Sequence, residues 1–160
     1  MKIEQTNRFW RAAHKEAQVC LQDSSLTIDT NVMTLFDTGA SAGNFISSAF
    51  VTKHGLESNL LKVNKKVKVA NGTRVDILAK IMLQVSFQTE SGIKTASLEF
   101  NVMEGLSMDL IIGLPSICNH FREVLAEMMG KVMFKSPKDE ISNSESLRDI
   151  APDILSSEQR

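Results

Sequence analysis

Apolar and polar residues alternate along much of the central part of the chain, and this period of two predicts half-buried β-strands. Short strands are predicted at 19–21 and 26–28, with a turn at 29–31, where Asp, Thr and Asn follow one another. An apolar strand is predicted at 32–36. The sequence therefore indicates a strand-rich domain.

A hairpin over 61–80 carries the strongest turn pattern in the chain. Alternating valines lead into Asn71-Gly72, a pair that favours a tight turn, and alternating apolar residues lead out of it. Residues 81–87 predict a further half-buried strand, which a turn at Ser91-Gly92 connects to a returning strand at 93–103.

Helical character is predicted for the N-terminal region and for two internal segments. Residues 1–18 are polar and weakly helical. Residues 47–54 predict a short helix with Ser47 or Ser48 as its N-cap and Gly55 just beyond its end.

The stronger internal helix follows a short apolar strand at 110–112, which Gly113 ends. Pro115 lies near the helix start, and Gly130 follows its predicted end. The apolar residues on one face of this helix, at helical spacing, are Ile117, Phe121, Val124, Leu125 and Met128. A last strand is predicted at 131–135.

The composition fits one globular domain with an extension at each end. With 160 residues and 42% hydrophobic residues, the chain is long enough for a single domain with a substantial core. We assign residues 19–135 to this domain and residues 1–18 to an N-terminal extension. Residues 136–160 are rich in Ser, Asp and Glu and lack aromatic residues, so we expect a flexible tail or linker there.

Charge and targeting patterns exclude several classes of partner. The net charge of −1 argues against nucleic-acid binding and against a membrane surface as partner. No uncharged run reaches the length of a membrane span, and the first residues lack the apolar core of a secretory signal. Cys20 and Cys118 form no metal-binding pattern, so we expect free thiols in a reducing compartment.

One carboxylate stands out because it lies at the end of the apolar strand 32–36. Thr38 and Gly39 follow Asp37 at once, a context that can hold the acid in a fixed, partly buried position. Burying a carboxylate costs free energy, and few functions justify that cost. One that does is aspartic-protease catalysis, in which two such carboxylates share a proton and activate a water molecule.

The run that begins at Asp37, DTGASAGNFIS, resembles the catalytic loop of retroviral-type aspartic proteases (retropepsins) and is most similar to proteases of gypsy-type LTR retrotransposons. That family carries a second signature late in the domain, two apolar residues and a glycine. Ile111, Ile112 and Gly113 match it, and the predicted helix follows as it does in the family. The predicted Asn71-Gly72 hairpin lies between the two signatures, where the family has its flap.

The resemblance implies a fold and a set of roles. The fold is all-β and mainly antiparallel, a closed β-barrel with one helix near the C-terminal end of the domain and a flap hairpin. Asp37 is implied to be the catalytic acid and base, Thr38 to hydrogen-bond across a dimer, and Gly39 to contact the substrate. Ala40 stands where pepsin-like enzymes carry a hydroxyl, so a mildly acidic optimum is expected. The residues implied to cover the substrate are Val69, Ala70, Asn71, Gly72, Thr73 and Arg74.

A single Asp-Thr-Gly triplet supplies only one of the two carboxylates that this chemistry needs. The simplest assembly is a homodimer with Asp37 on its two-fold axis. The resemblance then implies an aspartic endopeptidase that cleaves extended polypeptides, with retroelement polyprotein processing as its task. It implies no metal or cofactor, and a location in the cytoplasm or within retroelement particles. The alternative is a catalytically silent domain of the same fold that serves as a dimerisation or peptide-binding module.

Other residues of chemical interest have simpler interpretations. Asp109 is a possible second acid within one chain, but a loop residue that caps or pairs near the dimer interface is the better interpretation. Three scattered histidines form neither a metal site nor a charge relay, and they are His14, His54 and His120. A solvated strand face explains the lysines of the predicted hairpin, Lys62, Lys65, Lys66 and Lys68.

Overall fold

The computed structural model describes residues 13–22, 26–69 and 72–133, and strands dominate this part of the chain. The strands are β1 (His14–Leu21), β2 (Thr27–Asp37), β3 (Asn44–Ser47), β4 (Leu61–Lys68), β5 (Arg74–Thr89), β6 (Gly92–Met103) and β7 (Leu110–Gly113). The helices are α1 (Ser48–Lys53), α2 (Leu114–His120) and α3 (Arg122–Met133), with one 3₁₀ turn at Glu57–Asn59.

Six of these strands close into a barrel. Their order around the barrel is β1-β2-β7-β3-β6-β5, and antiparallel pairing of β1 with β5 joins the two ends. Most neighbours are antiparallel, whereas β2 with β7 and β3 with β6 are parallel pairs. Among the described strands, β4 pairs with β5 alone and lies outside the closed ring. The predicted all-β, mainly antiparallel closed barrel is therefore confirmed.

Aromatic side chains fill the centre of the core beside the end of β2. The ring centroids of Phe36 and Phe121 lie 5.0 Å from that of Phe87 and 6.1 Å from each other. All three rings are almost fully buried. Tilted and edge-on contacts at these separations are favourable for aromatic pairs. Because Phe36 directly precedes Asp37, this packing fixes the backbone from which the candidate acid projects.

The predicted short helix is confirmed as α1. Ser47 is its N-cap, and Ser47 Oγ accepts a hydrogen bond from Phe50 N at 3.0 Å. Gly55 lies beyond the helix end with a φ of +64°. The predicted hairpin is also present, as strands β4 and β5 in antiparallel pairing. The turn predicted at Ser91-Gly92 is present one residue earlier, at Glu90-Ser91, and joins β5 to β6, whose first residue is Gly92.

The predicted turn at 29–31 is wrong, because β2 runs through it without interruption. Strand β1 pairs along β2 with a shift in register, from Ala17 opposite Val32 to Val19 opposite Asp29. Asp29 Oδ1 accepts a hydrogen bond from Asn31 N at 3.0 Å, the local contact typical of an Asx turn. The turn-forming residues therefore make a bulge within a paired strand, and pairing with β1 decides the outcome.

The helical expectation for the N-terminal region is wrong over its last residues. Residues 14–18 belong to β1, which pairs with both β2 and β5. The strand thus extends into the predicted N-terminal extension. Residues 1–12 and 134–160 lie outside the described residues, so the remainder of that helical expectation and the predicted tail stay predictions.

The single long helix predicted after residue 113 is two helices. The backbone at Phe121, with φ −130° and ψ 25°, interrupts them while its side chain enters the aromatic core. The expected apolar face is largely buried, with Ile117, Val124 and Met128 inside. Helix α3 continues through Gly130, so the predicted helix end there and the strand at 131–133 are wrong. One helical glycine does not end a helix that packs on a core.

Among the helices of the described ranges, none has the length and apolar character needed to cross a lipid bilayer.

Candidate active site

Asp37 is the last residue of β2, and its position follows from two neighbouring strands. In the parallel register of β2 and β7, Phe36 lies opposite Ile112 and Asp37 opposite Gly113. On the other side, β1 pairs with β2 as far as His14 opposite Leu35. The acid therefore emerges where a strand held on both sides gives way to a loop, in partly buried surroundings.

Hydrogen bonds fix the loop that follows Asp37. Gly39 N donates to Asp37 Oδ1 at 2.9 Å, and Ala40 N donates to the Asp37 carbonyl oxygen at 3.1 Å. Leu114 N donates to the Ala40 carbonyl oxygen at 2.9 Å, which attaches the loop to the start of α2. The carboxylate thus has one oxygen held by its own loop.

Gly113 leaves the space into which this loop closes. A Cβ atom at this position would lie 2.1 Å from the Gly43 carbonyl oxygen and 2.6 Å from that of Ala40. The backbone conformation of Gly113, with φ −86°, is open to any residue, so the requirement for glycine is one of space. Gly43 is different, because its φ of +125° favours glycine where the loop turns into β3.

The two apolar residues of the second signature point to different environments. Ile112 is fully buried in the main core. Ile111 is partly buried against a second, smaller cluster centred on Phe45, Val67 and Ile77. Ala40 packs against the same cluster, so the cluster joins the Asp37 loop to the β4–β5 hairpin.

Burial raises the pKa of the Asp37 carboxyl group above its ordinary value, and the backbone hydrogen bond from Gly39 partly offsets the rise. Desolvation disfavours the charged form, whereas an N–H donor favours it. A carboxyl group with a raised pKa exchanges protons more readily under mildly acidic conditions than an exposed one. This property suits an acid that alternates between giving and taking a proton.

Thr38 carries a buried polar atom without a partner. Its Oγ1 is fully buried, and no group within the described residues hydrogen-bonds to it. Buried hydroxyls are nearly always hydrogen-bonded, because an unsatisfied one loses its interaction with water and gains nothing in return. Within the described residues, the hydroxyl therefore lacks the partner that a buried hydroxyl normally has.

The predicted flap lies at the tip of the β4–β5 hairpin. Val69 N donates to the Thr73 carbonyl oxygen and Gly72 N to that of Val69, each at 2.9 Å. Arg74 begins β5 and is exposed. Ala70 and Asn71 lie outside the described residues.

Asp109 is not brought to the candidate acid. It precedes β7, whose first residue, Leu110, lies opposite Thr34, whereas Asp37 lies opposite Gly113 at the other end of the strand. The Asp109 side chain is exposed, and its carbonyl oxygen accepts a hydrogen bond from Ser47 N at 3.0 Å. Asp109 is therefore a loop residue, and it does not supply a second carboxylate within the chain.

The remaining histidines, lysines and cysteines singled out in the sequence form neither a metal site nor a catalytic group in the described part of the chain. Within the described ranges, His, Cys, Asp and Glu side chains form no group that could hold a metal ion. His54 Nε2 lies 3.6 Å from Asp29 Oδ2, beside the end of α1. On the hairpin, Lys66 Nζ lies 3.8 Å from Asp76 Oδ1, and Lys65 Nζ lies 3.9 Å from Glu99 Oε2. Cys20 is buried and Cys118 exposed, and both are free.

Asn44 belongs to this site although no sequence pattern singled it out. Asn44 begins β3, is buried, and makes three side-chain hydrogen bonds. Its partners are Gly113 N, the Glu99 carbonyl oxygen and Ser116 Oγ. The available signal was a polar residue directly after the loop of Asp37 and directly before the apolar pair Phe45-Ile46.

Comparisons with known proteins agree with this architecture. A family model described as the PEG10/RTL1 protease domain matches residues 33–125, more than half of the chain, including Asp37 and the second signature. No curated protein matches the sequence.

Two solved structures are similar to the chain. The retroviral protease-like domain of Ddi1 from Leishmania major has a TM-score of 0.43 at 20% identity, covering 66% of this chain and 70% of that one. A protein of unknown function (DUF785), Lpg0085 from Legionella pneumophila, has a TM-score of 0.37 at 15% identity, covering 67% of this chain and 84% of that one.

The close approach at Gly113 predicts a strong effect of adding one methyl group. We expect Gly113→Ala to lower the free energy of unfolding by about 3 kcal/mol or more, because backbone atoms on two sides occupy the space. Gly130→Ala is the matched control, since nothing lies within 4 Å of its added Cβ and the residue is helical. It should raise stability by about 0.5–1 kcal/mol. Urea unfolding of both variants measures this, and equal effects would contradict the spatial argument.

The raised pKa of Asp37 predicts how stability depends on pH. The folded chain binds this proton more tightly than the unfolded chain, so the residue lowers stability above its folded pKa, and the cost disappears below the ordinary carboxyl pKa. Asp37→Asn keeps an acceptor for Gly39 N and removes the charge. We expect the variant to have a higher unfolding temperature than wild type at about pH 7 and the same at about pH 3. A variant that is less stable at neutral pH would refute the assignment.

Proposed function

Because the chain belongs to the PEG10/RTL1 protease-domain family, we propose that it is an aspartic endopeptidase that acts as a homodimer. The observation that carries the proposal is the state of the Asp37 loop. A partly buried carboxyl group with a raised pKa lies at a strand end beside a buried Thr38 hydroxyl that has no hydrogen-bond partner among the described residues. Burying a carboxyl group and burying an unpaired hydroxyl both cost free energy in a single chain. At a two-fold axis, the carboxyl group can act in catalysis and the hydroxyl can hydrogen-bond to the second chain.

The proposed chemistry needs one Asp37 from each of two chains. One carboxyl group stays protonated and polarises the scissile carbonyl group of the peptide. The other is ionised and accepts a proton from the attacking water. Like charges this close cannot both ionise, so the pair loses its protons in two steps that belong to the pair. Repulsion between the two carboxylates adds to the effect of burial, which is already present in one chain. It raises the pKa of the second ionisation step of the pair.

The two-fold arrangement also provides a partner for Thr38. A hydroxyl both donates and accepts, so two symmetry-related Thr38 loops can satisfy each other's needs. The lone triplet and the unpaired hydroxyl thus favour the same assembly. No second acid within the described part of the chain is brought near Asp37, which supports a symmetric pair over an internal one.

Extended polypeptides are the proposed substrates. The cluster between the Asp37 loop and the hairpin includes partly buried apolar side chains, which favour apolar substrate residues near the cleaved bond. Its partly buried members are Ala40, Val63, Val75, Met103, Leu106 and Ile111. Residues 69–74 would cover the bound peptide as a flap. Processing of a retroelement polyprotein, in the cytoplasm or within particles, is the task that we propose.

The pH optimum should lie in the mildly acidic range. Burial raises the pKa of Asp37, and Ala40 provides no hydroxyl to hydrogen-bond and stabilise the ionised form. Both effects move the titration of the pair away from the strongly acidic range of pepsin-like enzymes.

Replacing the acid tests the proposal directly. We expect Asp37→Ala to abolish cleavage of a peptide library while the protein stays folded and dimeric. Asp109→Asn is the matched control, because it removes another carboxylate next to β7 that is exposed and remote from Asp37. It should keep activity within about threefold of wild type.

Three outcomes of this experiment have distinct meanings. Loss of activity in Asp37→Ala alone supports the proposal. Equal activity in Asp37→Ala and wild type would refute the role of Asp37. A wild-type dimer that binds peptides or statine inhibitors without cleaving them would instead indicate the silent peptide-binding module.

Removing the Thr38 hydroxyl tests the proposed dimer. Thr38→Val eliminates one hydroxyl per chain, two per dimer, each with a net contribution of about 1 kcal/mol, so we expect an about 30-fold weaker dimer. The stability of the monomer should not fall, because the hydroxyl has no hydrogen-bond partner among the described residues of one chain. Thr95→Val, an exposed position on β6, is the control. Sedimentation equilibrium measures the dissociation constants, and an unchanged constant in Thr38→Val contradicts this role.

A further inference from the structure

A buried amide connects the loop of Asp37 to strands β6 and β7 and to helix α2. Asn44 is only 5% exposed. Its Oδ1 accepts a hydrogen bond from Gly113 N at 2.8 Å, and its Nδ2 donates to the Glu99 carbonyl oxygen at 3.1 Å and to Ser116 Oγ at 2.9 Å. We propose that Asn44 is a positioning residue that holds the Asp37 loop in the orientation required for catalysis, an inference that rests on the proposed function.

The partners of Asn44 explain why an amide suits this position. The Gly113 N–H group can only donate, and the Glu99 carbonyl oxygen can only accept. One side chain must therefore present an acceptor and a donor on separate atoms. An ionised Asp has no donor, and a hydroxyl has a single oxygen for both tasks. The amide offers both, an acceptor for Gly113 N and a donor for the Glu99 carbonyl oxygen.

The geometry of the loop makes this residue relevant to the acid. The loop leaves β2 at Asp37 and returns as β3 at Asn44, so the two residues mark its two ends. Asp37 lies opposite Gly113 in the β2–β7 register, and Asn44 hydrogen-bonds to the same glycine. Both ends of the loop are therefore attached to one point of β7. The bond from Leu114 N to the Ala40 carbonyl oxygen holds its middle.

Loss of this attachment should affect the rate of the reaction more than substrate binding. Catalysis depends on the position of the reacting groups, and a displacement of about 1 Å can cost about 10²-fold in rate. Peptide binding is spread over the apolar cluster and the hairpin, which Asn44 does not contact through its side-chain hydrogen bonds. We therefore expect Asn44→Ala to lower kcat by roughly 10- to 100-fold, with KM within about threefold of wild type.

A control must separate positioning from general destabilisation. Thr89 is 6% exposed, and its Oγ1 donates to the Gly92 carbonyl oxygen at 2.6 Å in the turn between β5 and β6. Thr89→Val thus also removes a buried side-chain bond to the backbone, but it leaves the Asp37 loop intact. At temperatures where the two variants are equally folded, Thr89→Val should keep the wild-type kcat.

A second variant keeps the proposal testable if Asn44→Ala does not fold. Asn44→Asp retains an acceptor for Gly113 N and loses the donor to Glu99. We expect this variant to keep slow hydrogen exchange at the Gly113 amide and most of the wild-type kcat, because the acceptor for Gly113 N remains. Fast exchange at Gly113 in a folded Asn44→Asp would overturn the proposal. Amide exchange followed by NMR on the full chain supplies a readout that does not depend on activity.

The combined measurements decide the proposal. Faster exchange at Gly113 in Asn44→Ala, together with a fall in kcat that Thr89→Val does not share, supports it. Unchanged exchange at Gly113, or a fall in kcat equal to that of Thr89→Val, overturns it. A wild-type chain without peptidase activity would contradict the proposed function, and the exchange data alone would then decide whether Asn44 holds the loop.

Discussion

The close approach of the Asp37 loop to Gly113 is the constraint on which the site depends. Parallel pairing of β2 with β7 places the acid opposite this glycine, and carbonyl oxygens of Gly43 and Ala40 occupy the space where a side chain would lie. Without that contact the loop could not accept the hydrogen bond from Leu114 N at its present distance. The burial of Asp37, and with it the rise of its pKa, follows from the same closure. The two sequence signatures, far apart along the chain, are thus two sides of one contact.

The site contains costs that a single chain does not offset. Asp37 is desolvated, and the Thr38 hydroxyl is buried without a partner among the described residues. Other buried polar side chains, such as those of Asn44 and Ser47, are hydrogen-bonded. Three buried side-chain atoms of the described residues have no hydrogen-bond partner, and of these the Thr38 hydroxyl lies next to the candidate acid, whereas His54 Nε2 and Asn101 Oδ1 lie elsewhere. In the proposed dimer the hydroxyl gains its partner, whereas the carboxyl groups repel one another and share a proton. In that dimer, the desolvation of Asp37 lowers the stability of the fold but gives the carboxyl group the raised pKa that the reaction needs.

Local sequence patterns predicted this fold well where local and tertiary preferences agree. Ser47 caps α1, and a turn just before Gly92 joins two paired strands, because both features depend on residues within a few positions of each other. The patterns failed where distant partners override local preference. Residues 29–31 favour a turn, but pairing with β1 extends β2 through them. Phe121 continues a helical period, but its ring packs with Phe36 and Phe87, and the backbone breaks there.

The sequence by itself determined that one acid stands at a strand end before Thr-Gly, and that a second apolar-apolar-glycine motif lies late in the domain. These features are local, so they can be recognised in a linear pattern. Only the tertiary structure decided that the motifs meet, that Asn44 bridges them, and that Asp109 lies at the far end of β7. Those relations depend on strand register. Register is set by contacts between residues distant in the chain, so it cannot be predicted from a short stretch of sequence.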